Sequence, residues 1–310
     1  MNVTAINHNG LTSPINTDAL PQQVGASIAN SALLVTLSRS VPTFIKLDKR
    51  VSNKVTNNEN AFRGAAKVNK SLIQCEPHDA LKTLSSEVYN YHIRNTVAWN
   101  EAGARLLPNE KLIDYKNTMG AYALQFEAAK RRFLTYYPAA VSTSQLRLGD
   151  MFNEGDYPPV DELSSRIGVR VNYEPIPDAG DFRVDIGNQA AKELQDTYNN
   201  LLQERLKGAM DSVWERLLQP LENMSKMLDY TFTDKPTGFR DTLVDNVTQI
   251  VDLMRVCNIT KDPKMEQIRI GLTQALRGVT PEGLREDSLL REATKKRVDQ
   301  IIKDLPSLGF

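Results

Sequence analysis

The stretch 106–138, "LLPNEKLIDYKNTMGAYALQFEAAKRRFLTYYP", decides the fold. Leu112, Tyr115, Met119, Tyr122, Phe126, Ala129, Phe133 and Tyr136 follow one another at alternating steps of three and four residues. That spacing lines all eight along one stripe of a helix, the a/d seam of a heptad pattern. Asn109 suits the N-cap, and Pro138 is expected to end the helix. At 1.5 Å per residue the segment makes a rod of roughly 40 Å. Its aromatic seam reads as core packing rather than as a cofactor groove.

A second stripe lies further along. Leu194, Tyr198, Leu202, Leu206, Met210, Val213, Leu217, Leu221, Met224 and Leu228 step by three or four, with Trp214 and Leu218 beside them. Pro220 is expected to kink or split this helix near Leu217. A helix so long cannot bury its stripe alone, and the 109–136 helix is its natural mate. Before them, Leu81, Leu84, Val88 and Tyr91 mark a helix beginning near Pro77, with His92 one place off the row and read as half-buried or at the surface. After them come three shorter helices. Leu243, Val247, Ile250 and Met254 mark the first, and Asp262 with Pro263 opens the second. The third runs from about Pro281 to Leu305.

Between the two long stripes the period changes. In "DYPPVDELSSRIGVRVNYEPIPDAGDFRVDIG" (156–187), a turn and a short helix ending at Gly168 precede two runs of period two. Val169, Val171 and Tyr173 alternate with polar residues, and so do Phe182, Val184 and Ile186. With "PIPDAG" between them they read as a β-hairpin whose apolar side chains share one face. The expected fold is therefore mainly α. It has a long antiparallel helical hairpin or bundle of coiled-coil character, a small β-hairpin insertion, and a C-terminal helical subdomain. The expected organisation is a mobile tail over 1–30, an elongated domain over 31–230 with the hairpin at about 156–187, and a helical subdomain over 239–310.

Charge separates two regions of a chain whose 38 basic residues equal its 38 acidic ones. Arg39, Lys46, Lys49, Arg50, Lys54, Arg63, Lys67 and Lys70 face only Asp48 and Glu59. Here a solvated helical face is the plain reading, and contact with an acidic partner or nucleic acid is the functional one. The zero net charge argues against a dedicated duplex-DNA binder. Stacking aromatics are few, only Phe44 and Phe62. Asp150, Glu154, Asp156, Asp161, Glu162, Glu174, Asp178, Asp181 and Asp185 meet only Arg166, Arg170 and Arg183. The two regions are thus able to pair, within one chain or between copies.

Enzyme signatures are missing. The chain has no Walker loop, no G-x-G-x-x-G after a strand, no H-E-x-x-H and no G-x-S-x-G. His8, His78 and His92 sit near no nucleophile, and "DAGD" and "EGD" lack the ligand alternation of a calcium loop. Neither enzymatic activity, cofactor nor metal is expected. The two cysteines, Cys75 and Cys257, are too few and too far apart for a disulfide framework or zinc site, which fits a reducing compartment. With no secretory signal and no membrane-length apolar run, a cytoplasmic protein is expected.

The segments "GARLLP" (103–108), "DYP" (156–158) and "PDAGDFRV" (177–184), with "LDKRVS" and "NKSLI" before them, resemble a family of uncharacterised tailed-bacteriophage proteins over roughly residues 32–230. The resemblance implies a phage-encoded protein of the host bacterial cytoplasm. Its genes would lie beside those for a MoxR-like AAA ATPase and a von Willebrand A-type protein. That implies an adaptor, substrate or partner of a remodelling ATPase, and it brings no catalytic residues. The leading expectation is a non-enzymatic interaction protein, with Tyr157, Asp178, Asp181, Phe182 and Arg183 as partner contacts or as the joint fixing the helices. The alternatives are a nucleic-acid binder using Lys46, Lys49, Arg50, Lys54, Arg63, Lys67 and Lys70, and a virion component.

Overall fold

The computed structural model describes residues 30–177, 188–229, 242–258 and 262–306. The chain is mostly helical, with small antiparallel sheets. Its strands are β1 (Ala32–Ser40), β2 (Ile45–Leu47), β3 (Asn69–Ser71), β4 (Val97–Ala98), β5 (Arg105–Pro108) and β6 (Gly168–Glu174). Its α-helices are α1 (Lys49–Asn58), α2 (Glu76–Asn95), α3 (Leu112–Leu148), α4 (Val160–Arg166), α5 (Asn188–Leu228), α6 (Thr242–Cys257), α7 (Pro263–Ala275), α8 (Pro281–Glu286) and α9 (Ser288–Asp304). No helix among the described residues is long and apolar enough to cross a membrane.

Two compact units divide the chain. One comprises Met1–Val35, Asn95–Leu112 and Tyr173–Phe310, the other Thr36–Arg94 and Ile113–Asn172. Each has its own apolar core.

In the first unit the stripe of α5 is covered by α6 and α9. Val213, Leu217, Leu221 and Met224 are fully buried there, against Val247, Met254 and Val298. Helix α5 runs unbroken through Pro220. One missing N–H and some crowding are outweighed by the burial on either side of it. The expected third C-terminal helix is two, because Asp287 accepts hydrogen bonds from Leu289 N and Leu290 N and so caps a new start.

A hairpin that hydropathy did not reveal lies at 97–108. Strand β4 pairs with β5 (Val97↔Leu106), and β5 with β1 (Ala32↔Pro108 to Val35↔Arg105). Gly103 sits in the turn at φ 92°, where a side chain would be strained. Arg105 and Arg216 both donate to the carbonyl of the fully buried Thr96, at 3.0 and 2.9 Å, tying α5 to this hairpin.

In the second unit α3 carries the core with Tyr115, Met119, Phe126 and Phe133 inward, as the seam predicts. Pro138 does not end it: the helix continues to Leu148, with Tyr137, Ala140, Ser144 and Leu148 buried. Tyr137 therefore replaces Tyr136, which is exposed. A straight helix drifts off a strict heptad at 3.6 residues per turn, and the buried row steps across accordingly. Asn109 opens a 3-10 turn instead of capping α3.

The plain reading of the basic N-terminal segment is a helical face, but it is a mixture of strand, helix and loop. "ALLVTLSRS" forms β1, and only Lys49–Asn58 is helical. A short apolar run suits strand or helix, and its periodicity cannot choose. Strand β6 is the first strand of the expected 156–187 hairpin, and it is next to β1 in the sheet order β4-β5-β1-β6. The second strand of that hairpin lies outside the described residues.

Candidate functional site

Strands β2 and β3 form an antiparallel ribbon of their own in the second unit, in the register Ile45↔Ser71, Lys46↔Lys70 and Leu47↔Asn69. This places two lysines directly opposite each other, an unfavourable cross-strand pair. Asp156 resolves it. Its carboxylate, with the side chain 4% exposed, lies 2.5 Å from Lys46 Nζ through Oδ1 and 2.7 Å from Lys70 Nζ through Oδ2. The Lys70 contact is off the line of a hydrogen bond and is ionic. Lys70 is itself buried and donates to the Met151 carbonyl at 2.6 Å, with Asp48 Oδ2 at 3.9 Å.

Asp48 joins the cluster to α1. Its Oδ1 accepts from Val51 N at 2.9 Å as the N-cap, and its backbone N–H donates to Val68 O. Ser52 Oγ accepts from Val68 N, closing the link between α1 and the approach to β3. Arg50 donates to the Asp150 carbonyl at 2.9 Å. Burial alone would raise the pKa of Asp156. The two lysine ammoniums outweigh it and hold the carboxyl below its ordinary range.

Strand β2 buries none of its three residues. Phe44 and Asp48, which flank it, are buried, and Lys46 keeps 53% of its side chain accessible while its Nζ reaches Asp156. Ile45 and Leu47, 61% and 39% exposed, point outward. Phe44 enters the strand at φ 53°, a conformation that costs a bulky residue about 1–3 kcal/mol. Edge-on contacts with His78 (5.0 Å) and Phe133 (5.8 Å) hold it there.

Tyr157, from the "DYP" segment, is half-buried in this unit. Its hydroxyl donates to the Leu72 carbonyl at 3.2 Å, its ring stacks on Phe152 at 5.2 Å, and Ser144 Oγ donates to the same carbonyl at 2.6 Å. Tyr137 donates to the Pro158 carbonyl, and burial pushes its phenol up to about 12. Asp178, Asp181, Phe182 and Arg183 lie outside the described residues.

The basic candidates divide into two groups. Lys46, Arg50 and Lys70 are engaged by the 150–156 loop of the same chain. Lys49, Lys54, Arg63 and Lys67 are exposed. Of the two aromatics, Phe44 is buried and Phe62 is 94% exposed. Lys46 and Lys70 were legible as charge but not as a buried cluster. The signal available was the pairing of opposite excesses at 39–70 and 150–185.

His78 and His92 are both buried. His78 packs between aromatic rings with Nε2 2.8 Å from the Pro42 carbonyl, and burial pulls its pKa down. His92, expected to be half-buried or exposed, is 2% exposed, with Nδ1 2.6 Å from Tyr115 Oη. Burial raises the Cys75 thiol, the reverse of an activated nucleophile. Among the described residues no group of three His, Cys, Asp or Glu could hold a metal. A groove of about 680 Å³ between α7 and α9 is lined by Ile270, Gly271, Gln274 and Ile301 among others, with Asp304 as its acid. Comparison with protein-family models, with curated proteins and with solved structures gives no match for the chain.

Proposed function

We propose that this is a non-enzymatic interaction protein, phage-encoded and working in the host cytoplasm through protein–protein contacts, as an adaptor or partner of an AAA ATPase system. One observation carries the reading. Within residues 45–67, Ile45, Leu47 and Phe62 are exposed apolar groups, and Lys49, Lys54, Arg63 and Lys67 stand among them as exposed cations. Large exposed apolar side chains of this kind are expected where a partner binds. The buried Asp48–Lys70–Asp156 cluster fixes the backbone that presents them. The test is affinity purification of wild type and a Phe62→Ser/Leu47→Ser variant from infected cells. A protein recovered with the wild type and lost with the variant supports the reading. Equal recovery by both, or recovery of nothing beside a monomeric sedimentation profile, refutes it.

A second reading rests on the same four cations beside Phe62, a pattern that suits single-stranded nucleic acid. Four phosphate contacts give a log K against log salt slope of about −3 for a single strand. A gel-shift series that shows no salt slope removes it.

A further inference from the structure

Resting on that interaction reading, we infer that the outer edge of β2 is a strand-addition site for an extended acidic segment of a partner protein. The hydrogen-bond phase of the ribbon carries the inference. Leu72 N donates to Phe44 O at 2.6 Å and Asp48 N donates to Val68 O at 2.9 Å. With Lys46 opposite Lys70, the bonded pairs are those of residues 44, 46 and 48, and the intervening residues point their backbone the other way. The N–H and C=O groups of Ile45 and Leu47 therefore face away from β3. Among the described residues the sheet has two strands. Among the described residues, no side chain or backbone group hydrogen-bonds to that edge.

Natural edge strands are usually guarded by charge, by proline or by a cover. Here the charge that could guard it, Lys46, is drawn to the inner face by Asp156 at 2.5 Å. What remains is a strand with Ile45 and Leu47 exposed beside four free backbone groups. The β3 edge differs, because Arg147 donates to Ser71 O at 2.6 Å.

The chemistry of the occupant follows from charge. Lys49 is exposed in the helical turn that leaves β2, and Lys54 is exposed further along the same helix. The exposed acid of residues 41–70 is Glu59. Asp150 and Glu154 belong to the loop against the opposite, lysine-bearing face. A second copy pairing antiparallel through β2 about a twofold axis would set Lys46 against Lys46, an unfavourable pair. An acidic strand with alternating apolar residues meets both the cations and the two apolar side chains. Main-chain bonds would supply affinity, and alternate side chains specificity.

The test uses the full chain and a labelled peptide alternating glutamate with valine. A lysine–valine counterpart and a glutamate–valine peptide N-methylated on alternate amides are the controls. Titration to about 1 mM, where binding of a few kcal/mol still registers, is expected to shift the Ile45 and Leu47 amide signals. N-methylation is expected to weaken binding roughly tenfold or more, the effect of losing two main-chain hydrogen bonds. Leu47→Pro deletes one outward N–H and no ladder bond, a tolerated edge position, and is expected to weaken binding while leaving the melting curve in place. Three results overturn the inference: no shift at Ile45 and Leu47, equal binding of the N-methylated or lysine peptide, or a dimer dispersed by Leu47→Pro. Should Leu47→Pro misfold, the N-methylated peptide still decides. A partner recovered from cells equally by wild type and Leu47→Pro leaves the interaction reading standing and removes this edge from it.

Discussion

Asp156→Asn tests whether the buried ion cluster holds the β2–β3 ribbon. The amide keeps the shape of the carboxylate and removes its charge, leaving two facing ammoniums. Breaking a buried pair by removing one member costs about 3–5 kcal/mol. Lys46 is half exposed, with 53% of its side chain accessible, so it can turn to water, and its share is at most about 1 kcal/mol. Lys70, 7% exposed, cannot. It keeps the Met151 carbonyl at 2.6 Å and Asp48 at 3.9 Å, which places the loss near the lower end, about 3 kcal/mol. For a 310-residue chain melting as one unit, at about 2.1 cal/mol/K per residue, that lowers the melting temperature by roughly 5 °C. Thermal melts at pH 7, followed by near-UV circular dichroism, read it. The pH dependence has a definite sign. The folded Asp156 pKa lies below its ordinary 3.8, so the stabilisation is complete above that value and fades as pH falls through the depressed one. The gap between wild type and variant is therefore expected to close in acid. Lys70→Met/Asp156→Leu, which removes both charges, is expected to be milder than Asp156→Asn. A variant melting within about 2 °C of wild type at pH 7 would falsify the structural role of the cluster.

Further outcomes are expected elsewhere. Removing the Tyr157 hydroxyl in Tyr157→Phe costs about 0.5–1 kcal/mol, because Ser144 still serves the Leu72 carbonyl at 2.6 Å. The double variant with Ser144→Ala leaves that carbonyl to Arg147 Nη2 at 3.3 Å and loses more than the sum, which chemical denaturation of the cycle shows. Burial depresses the His78 pKa, so the unfolded chain takes up its proton first as pH falls below 6.5. Stability then declines below that pH, and the decline is shallower in His78→Gln; an imidazole NMR midpoint at or above 6.5 refutes this. Leu217→Ala, at a fully buried position of α5, costs about 2–5 kcal/mol. Phe62→Ala, at a position 94% exposed, stays within about 0.5 kcal/mol while it lowers partner recovery.

Much of the helical frame was legible because helical burial is periodic. The stripe of 112–133 returns as Tyr115, Met119, Phe126 and Phe133 buried on α3. That of 202–228 returns as the buried row of α5. Caps at Asp262 and the turn into α4 read directly from local chemistry. Strands of two to four residues give too few alternations to register, so β2 to β5 were missed. Of the candidate site, Tyr157 and the basic residues were named. Asp156 appeared only as one of many acids, and Ile45 and Leu47 only as apolar residues of the basic segment.

By itself the sequence determined the long helices and the opposed charges of 39–70 and 150–185, because periodicity, caps and charge are local properties of the chain. Tertiary structure alone decided what covers each stripe: α6 and α9 for α5, since any apolar helix face accepts any other of matching length. It alone also left Ile45 and Leu47 exposed and buried Asp48 and Lys70. Hydropathy puts the first two in the core and the last two in water. The fold reverses this because a carboxylate distant in sequence, Asp156, neutralises Lys70 within the protein, and no local pattern encodes the arrival of that charge.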